Sequence, residues 1–411
     1  MKLSEDLKRR GLIHNATDGI EKVLDEEKPV FYIGADPTAD SLHLGNLLGL
    51  ITAKRLVNAG LKAILLVGGG TGRIGDPKPD AERKLLDEDT LEKNIKAISR
   101  QYKRIVDSDS VQIVNNYEWL GKWNLIDFLR DIGKNFTVNN LIKKDAIAER
   151  LKSDIGLSYT EFAYPLLQAT DFLELYKRYN CKLQIGGSDQ WGNIVAGVDL
   201  IRRKEETEAA AFTFPLLIDK SSGKKFGKSE GNAIWLSAEK TSPYAFYQAL
   251  LNSSDEMVEE LLLKLSLLEL DEIDKVVKEW RKAPHERLAQ KTLAFDLTKT
   301  VHGENAAKAA QKVSEILFGK EFKKLSKDER EMLIKEAPSF KAEQLSGDIV
   351  EDLLSLSLAS SKREAREFLE NSSIKAFNKK LGLEDSLTEL DFIDDILVLK
   401  RGKKKTVVIY K

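Results

Sequence analysis

Two side chains that can donate hydrogen bonds stand three residues apart where the sequence predicts the start of a helix. His43 and Asn46 lie between an apolar run at 29–33 and an apolar periodic segment at 47–59, an order that predicts strand, turn and helix. A helix N-terminus presents backbone N–H groups and the positive end of its dipole, which favours bound anions. Gly45 between the two donors lets a flat ligand approach the backbone. The alternative is a capped helix in which His43 only satisfies a local hydrogen bond.

A second candidate segment contains two lysines in a glycine-bearing loop. Residues 225–229 read Lys-Phe-Gly-Lys-Ser. Lysines on a pliable loop can stabilise negative charge that develops on a leaving phosphate group. The alternative is an ordinary exposed polar loop.

Three polar residues share one face of a predicted helix at 159–179. Tyr164, Gln168 and Asp171 are spaced i, i+4 and i+7, and their neighbours are largely apolar. This arrangement favours a ligand-binding wall, and the alternative is a buried polar network that joins the helix to a sheet. Pro165 lies inside the pattern, so the helix either begins there or is kinked, which leaves the position of Tyr164 open.

Composition excludes several classes of protein. The chain has 411 residues, 42% hydrophobic and 32% charged, with a net charge of −1, which favours a globular protein of two to four domains. No apolar run approaches the ~20 residues of a membrane span, and the charged N-terminus predicts no export signal. The lone Cys181 excludes an internal disulfide. The four histidines lie too far apart in sequence for metal-ligand spacing, so no metal site is expected.

Alternating strand and helix patterns predict an α/β fold with a Rossmann-like, doubly wound parallel sheet. Ligands of such sheets bind at the carboxyl ends of the strands, where the residues above would converge. The predicted elements are helices at 4–10, 90–106, 125–132, 159–179 and 191–203, and strands at 62–67, 111–114, 182–190 (running into a loop) and 214–218.

The glycines at 70, 72 and 75 match the dinucleotide-binding pattern GxGxxG. That fingerprint needs the glycines to open a helix at once, whereas Pro77 and Pro79 interrupt the chain there. The segment is therefore interpreted as a glycine-rich wall beside a ligand, with Asp76 at its end.

The chain is expected to divide into four regions. These are a Rossmann-like domain at 1–220, the lysine loop with an α-helical domain at 221–318, a linker at 319–347, and a small α+β domain at 348–411. In the last region we predict helices at 349–356 and 362–370, and a hairpin of strands 396–399 and 406–409 around a basic turn.

Residues 43–46 resemble the HIGH motif of class I aminoacyl-tRNA synthetases, and 225–229 resemble their KMSKS loop. With Tyr32 and Asp171, the chain resembles the bacterial-type tyrosyl-tRNA synthetases over nearly its whole length. Many members carry a second His where Asn46 stands, and the amide can still donate. Residues 358–366 resemble a small RNA-binding domain found in a ribosomal protein and in many synthetases, which would bind RNA phosphates.

The resemblance implies that tyrosine and ATP form tyrosyl-adenylate and pyrophosphate, and that tyrosine then passes to the terminal adenosine of tRNA(Tyr). It implies ATP with Mg²⁺ as substrate and no tightly bound cofactor, a homodimer formed around 136–150, no membrane association and a cytoplasmic location. It implies these roles: catalysis by Lys225, Lys228, His43, Asn46 and Thr38; tyrosine binding by Tyr32, Gly34, Asp76, Tyr164, Gln168, Asp171 and Gln190; ATP binding by Asp36, His43, Gly45, Asn46, Gly187, Asp189 and Lys228; RNA binding by Lys362, Arg363, Arg366, Lys403 and Lys404.

Three other functions remain open on the sequence. A tryptophan-specific synthetase would not need Tyr32 and Asp171 aimed at a hydroxyl. A non-catalytic RNA-binding protein could keep the fold, although His43 and the two lysines argue against it. A dinucleotide-dependent oxidoreductase rests only on the three glycines of the GxGxxG match.

Overall fold

The computed structural model describes residues 1–77, 85–152, 156–220, 223, 226–229, 232–318, 322, 324–402 and 405–411. The chain forms two compact units. One comprises Met1–Thr241 and Ser253–Ala289, and the other Ser242–Asn252 and Gln290–Lys411.

The helices of the described chain, numbered in order, are α1 (Leu3–Arg9), α2 (Ile20–Lys22), α3 (Leu44–Asn58), α4 (Glu88–Ile105), α5 (Tyr117–Leu120), α6 (Leu125–Asp131), α7 (Val138–Leu141), α8 (Asp145–Lys152), α9 (Tyr159–Tyr179), α10 (Trp191–Glu205), α11 (Pro243–Leu251), α12 (Asp255–Leu265), α13 (Leu270–Lys282), α14 (Leu288–His302), α15 (Glu304–Leu317), α16 (Lys327–Glu336), α17 (Ile349–Ser355) and α18 (Lys362–Glu370).

Its strands are β1 (Asn15–Ala16), β2 (Val30–Ala35), β3 (Ala63–Val67), β4 (Val111–Asn115), β5 (Cys181–Gly187), β6 (Ala210–Phe214), β7 (Lys228–Ser229), β8 (Asn232–Ala233), β9 (Ser339–Lys341), β10 (Ile374–Ala376), β11 (Lys379–Lys380), β12 (Ile396–Arg401) and β13 (Lys405–Tyr410).

The first unit is built on the predicted parallel sheet. Its strand order in the described chain is β1-β6-β5-β2-β3-β4, and every pairing is parallel except that of β1 with β6. All five residues of β3 are buried, as expected for a parallel strand covered on both faces. Because β2 and β5 are neighbours, the loops after their carboxyl ends meet at one edge, where the candidate residues were expected.

One predicted strand of this sheet is wrong. The strand placed at 214–218 is in fact β6, Ala210–Phe214, which is buried along its whole length. Pro215 lacks the N–H group that a central strand needs, so the apolar run after Phe214 leaves the sheet. The two alanines at the start of β6 have weak strand preference and hid the strand from the sequence pattern.

The second unit joins helices to a small sheet. Helices α11, α15 and α16 are followed by a sheet of order β11-β10-β12-β13-β9. The predicted hairpin is confirmed as β12 and β13, whose register pairs Val398 with Val408. Helices α17 and α18 pack on this sheet through a cluster of buried aliphatic residues that includes Leu353, Leu369 and Leu399.

The segment expected to be a linker, 319–347, contains α16 and β9. Ser326 and Glu329 form a reciprocal capping box at the start of α16, and β9 pairs in parallel with β13. The described part of this segment is therefore ordered structure within the second unit. The assignment of functional domains stays a prediction.

No helix in the described ranges is long and apolar enough to cross a membrane.

Candidate active site

The entry to α3 places His43 and Asn46 as a reciprocal cap. His43 Nδ1 accepts a hydrogen bond from the Gly45 N–H at 3.1 Å, and Asn46 Oδ1 accepts one from the His43 N–H at 3.1 Å. Because Nδ1 is an acceptor, a neutral imidazole carries its proton on Nε2. The Asn46 oxygen is likewise used in the cap, so its NH₂ group is the part that can donate to a ligand. The structure therefore shows the capping role that was the alternative for His43, and the donor role of the two side chains towards a ligand stays a prediction.

Asp36, directly after β2, accepts hydrogen bonds on both carboxylate oxygens. Thr71 Oγ1 donates to Oδ1 at 2.6 Å, and Tyr164 Oη donates to Oδ2 at 2.9 Å. The structure thus brings together Asp36 and Tyr164, which are 128 residues apart. It also answers the question about Pro165, because α9 begins at Tyr159 and continues through the proline.

Asp171 lies in the interior, 2% exposed, and is held by two side chains that sequence reasoning missed. Its oxygens accept from Trp119 Nε1 at 2.8 Å and from Asn116 Nδ2 at 2.9 Å. Burial raises the pKa of Asp171 to about 8, while these two donors act in the opposite direction. Asn116 Nδ2 also donates to Thr71 at 2.9 Å. A continuous set of hydrogen bonds therefore runs from Asp171 to Asp36.

Two buried polar atoms of the candidate site residues have no hydrogen-bond partner among the described residues. They are the hydroxyl oxygen of Tyr32 and Oε1 of Gln168. Tyr32 is 2% exposed, and its ring lies 5.3 Å from that of Phe172. Burial, and next the charge of Asp171, raise the pKa of the Tyr32 phenol. An unsatisfied buried polar group costs ~1–3 kcal/mol, so both atoms mark a place where a polar ligand fits.

A third carboxylate, Asp76, is oriented by two amides. Gln190 Nε2 donates to Asp76 Oδ2 at 2.9 Å and Asn193 Nδ2 to Oδ1 at 3.2 Å. Asn193 was not anticipated from the sequence. Nearby, Lys144 Nζ donates to the Gly192 carbonyl. Burial lowers the pKa of Lys144 to about 8, opposed by the charges of Asp76 and Asp199.

Four further candidate residues lie at or after the carboxyl ends of central strands. Gly34 is in β2 and Gly187 ends β5. Thr38 follows β2 and donates its N–H to the Asp36 carbonyl at 2.9 Å, and Asp189 lies in a 3₁₀ turn after β5. These positions agree with the expected edge of the sheet. Their proposed ligand contacts stay predictions.

The glycine-rich segment does not have the geometry of a dinucleotide fingerprint. Residues Thr71–Arg73 form a single 3₁₀ turn, and the next described helix begins only at Glu88. A fingerprint would open a helix directly at the glycines.

The lysine loop is described in part. Lys225 lies outside the described residues; Lys228 is in β7, and its side chain is outside the description. Gly227 has a φ of +73°, and a Cβ there would lie 2.8 Å from Leu44 Cβ, so the loop packs closely on the start of α3. Of the residues predicted to bind RNA, Lys362, Arg363 and Arg366 are exposed on α18, while 403–404 lie outside the description.

Comparison with known proteins identifies the family. Residues 24–319 match the model of the class I tRNA synthetases (W and Y). A tyrosine–tRNA ligase of Staphylococcus epidermidis is 47% identical over 99% of this chain and 98% of its own length. The chain belongs to the tyrosine–tRNA ligase family of class I tRNA synthetases. As a family member it is an aminoacyl-tRNA synthetase, an enzyme that activates an amino acid and transfers it to tRNA.

Other tyrosine–tRNA ligases are similar to this chain over nearly its whole length. Residues 329–409 match the tyrosine–tRNA ligase SYY-like C-terminal domain, and tyrosine–tRNA ligase 2 of Enterococcus faecalis is 46% identical over 98% of this chain and 97% of its own. The solved structure of a C-terminally truncated mitochondrial tyrosyl-tRNA synthetase of Aspergillus nidulans has a TM-score of 0.69 and 29% identity, covering 76% of this chain and 93% of that one. Membership in this family contradicts the oxidoreductase alternative.

Proposed function

We propose that the pocket lined by Tyr32, Gln168 and Asp171 binds L-tyrosine, and that the mouth of α3 with the lysine loop binds the phosphates of ATP. The observation that carries the tyrosine site is the pair of buried atoms, Tyr32 Oη and Gln168 Oε1, that have no partner in the described part of the chain. A phenol hydroxyl placed between Tyr32 and Asp171 supplies the missing hydrogen bond. Tryptophan has no group at that position that can both donate and accept a hydrogen bond, because its indole N–H only donates.

The amino end of tyrosine is assigned to a set of acceptors at the other end of the site. Asp76, Tyr164 and Gln168 would hold the ammonium group. Gln190, which already orients Asp76 at 2.9 Å, would contact the carboxylate region. Gly34 would let the ligand pass close to the backbone of β2. Asp36 and Asp189 would bind the ATP side together with Gly45 and Gly187.

The first chemical step needs orientation and charge stabilisation more than proton transfer. The tyrosine carboxylate is already ionised at neutral pH, so its oxygen attacks the α-phosphorus directly while the bond to pyrophosphate breaks. Negative charge then moves onto pyrophosphate, where Lys225, Lys228, His43 Nε2–H and the Asn46 amide would meet it, with Thr38 beside them. Mg²⁺ enters with ATP as part of the substrate.

The second step transfers tyrosine to tRNA(Tyr). A hydroxyl of the terminal adenosine attacks the tyrosyl carbonyl carbon, and AMP leaves. The exposed basic face of α18 is proposed to hold RNA phosphates, joined by Lys403 and Lys404 of the hairpin turn. Arg401 supports this arrangement, since its guanidinium stacks 4.7 Å from the Phe368 ring and donates to the Leu358 carbonyl at 2.7 Å, which holds the turn end of the hairpin beside α18.

A homodimer is proposed for the first unit, because large apolar side chains are exposed on α6–α9. Several large apolar side chains exposed in one part of the chain favour an interaction site. These residues are Leu125 (69% exposed), Ile126 (67%), Leu129 (43%), Val138 (61%), Leu151 (56%) and Tyr159 (72%). Sedimentation of Ile126→Asp should give a monomer, whereas Leu383→Asp, exposed by 43% in the other unit, should leave the dimer intact. We propose a cytoplasmic location.

The deciding experiment is ATP–pyrophosphate exchange with each amino acid in turn, without tRNA. Exchange with tyrosine alone supports the pocket as assigned. Exchange with tryptophan would refute the assignment of Tyr32 and Asp171 while leaving the fold and family intact. A folded protein that binds RNA but exchanges nothing would be a synthetase-like binding protein.

A further inference from the structure

The chain that leaves the lysine loop is paired with the entry to α3. The Leu44 N–H donates to the Ile234 carbonyl at 2.8 Å, and the Leu236 N–H donates to the Leu42 carbonyl at 2.8 Å. These bonds form an isolated antiparallel bridge centred on His43 and Trp235. The residue proposed to meet the phosphates is thus directly opposite a tryptophan.

The side chains of this bridge form a connected set. Trp235 meets His43 edge-on, with ring centroids 6.3 Å apart and planes at 66°. Lys240 Nζ lies 4.7 Å from the centroid of the Trp235 ring and also forms an ion pair with Asp40. Hydrogen bonding from Lys240 lowers the pKa of Asp40, which favours the ionised carboxylate in this pair. Asp40 precedes His43 by three residues in the sequence.

A buried serine, Ser41, forms hydrogen bonds that stabilise the same bridge. Ser41 is 4% exposed, and its hydroxyl accepts from the Ser237 N–H at 3.1 Å and from Gln101 Nε2 at 2.8 Å. Gln101 Oε1 in turn accepts from the Leu42 N–H at 2.8 Å. The backbone on both sides of the bridge is therefore fixed. The His43 ring is held on one side by the Gly45 N–H, and the partly exposed Trp235 side chain contacts it on the other.

We propose that Trp235 and Lys240 are positioning residues for His43, held in place by Asp40, and that they set the imidazole for contact with the ATP phosphates. This inference rests on the phosphate role proposed for His43. An edge-on aromatic contact restricts the rotation of the imidazole, and a cation over the tryptophan, itself tied to Asp40, restricts the tryptophan. The three residues act through His43 and touch no substrate.

The expected kinetic signature is a loss in kcat with little change in the KM for tyrosine. Charge on pyrophosphate develops only as the reaction proceeds, so a misplaced His43 weakens the transition state and not the tyrosine complex. Tyrosine is assigned to contacts made by other residues. A merely structural role would instead lower stability and affect both parameters.

The test compares Lys240→Met with Lys240→Arg in tyrosine-dependent ATP–pyrophosphate exchange. Arginine keeps the charge, the ion pair with Asp40 and the cation–π contact, whereas methionine keeps only the length. We expect Lys240→Met to lower kcat about 10-fold, or ~1.4 kcal/mol of transition-state stabilisation, and Lys240→Arg to retain most of the activity. The matched control is Lys177→Met, because Lys177 pairs with Glu205 at 3.2 Å with side-chain exposures of 43% and 25%, close to the 35% and 33% of Lys240 and Asp40.

Two further variants test the rest of the set. Trp235→Leu should lower kcat about as much as Lys240→Met. The double variant Asp40→Asn with Lys240→Met should lose no more kcat than the more impaired single variant, since the two residues act as one unit. Equilibrium dialysis with labelled tyrosine should give wild-type affinity for each. If Trp235→Leu does not fold, Trp235→Phe replaces it.

The proposal is overturned if Lys240→Met keeps wild-type kcat, or if Lys240→Arg is as impaired as Lys240→Met. It is also overturned if the loss lies in tyrosine affinity. An inactive wild-type protein would instead refute the proposed function, so the two failures are distinguishable.

Discussion

Removing the Tyr32 hydroxyl should stabilise the ligand-free protein and impair the enzyme. In the structure this hydroxyl is buried without a partner among the described residues, a situation that costs ~1–3 kcal/mol. Tyr32→Phe deletes the unsatisfied atom and keeps the ring contact with Phe172. We expect the free energy of unfolding of the ligand-free protein to rise by about 1 kcal/mol.

The same change should weaken tyrosine use, because one neutral hydrogen bond to the substrate is lost. Such a bond is worth ~0.5–1.5 kcal/mol, so kcat/KM for tyrosine should fall roughly 2- to 12-fold. Phenylalanine has no hydroxyl to lose, so its kcat/KM should not fall, and discrimination between the two amino acids should shrink by the same factor.

Urea unfolding without ligands and ATP–pyrophosphate exchange with both amino acids measure the two effects. Tyr102→Phe is the matched control. Tyr102 is also buried, at 1% exposed, but its hydroxyl donates to the Leu66 carbonyl at 3.4 Å, so its loss should not stabilise the protein or alter selectivity. A destabilised Tyr32→Phe protein with unchanged discrimination would show that the hydroxyl does not face the substrate.

Three further predictions follow from the site and from α18. Lys228→Ala or Lys225→Ala should slow tyrosyl-adenylate formation in single-turnover assays while tyrosine affinity by dialysis stays nearly unchanged; weaker binding with normal activation would contradict the pyrophosphate role. The pKa of Asp171, raised from 3.8 to about 8, means that the folded state favours the neutral acid, so this group's stabilising contribution declines as pH rises from 3.8 towards 8. Between pH 6 and 8 the free energy of unfolding of the wild type, measured in urea, should fall relative to that of Asp171→Asn. If the two free energies change in parallel with pH, the raised pKa of Asp171 is refuted. Replacing Arg363 and Arg366 with Gln should weaken tRNA charging and its dependence on salt without changing pyrophosphate exchange, while Lys327→Gln, 86% exposed, should change neither.

Periodicity predicted the elements that carry the site. The helix expected at 159–179 has those bounds in the structure, because its apolar spacing extends over many turns, and the β2–α3 junction followed from an apolar run and a cap. Local pattern failed for β6, because its residues have poor intrinsic preference for a strand. It also failed at Ser326, because the capping signal there was interpreted as part of a charged linker.

The supports of the site could not be found from the sequence. Asn116 and Trp119 bond Asp171 across 55 and 52 residues, and neither residue type indicates such a role by itself. Their proximity depends on the order of β2, β3 and β4 in the sheet, which brings the segment after β4 to the same edge. In contrast, the shared helix of Asp171 and Gln168 could be predicted because helical spacing is local.

The parallel pairing of β9 with β13 bears on how the C-terminal part can be exchanged between synthetases. A graft cut at 348 would leave β9 behind and expose the side of β13 that it covers. It would also remove Val398 and Val408 from the cluster they share with Leu325 and Leu333. A transplantable module must therefore begin before the capping serine of α16, so that the helix and its strand move together with the hairpin.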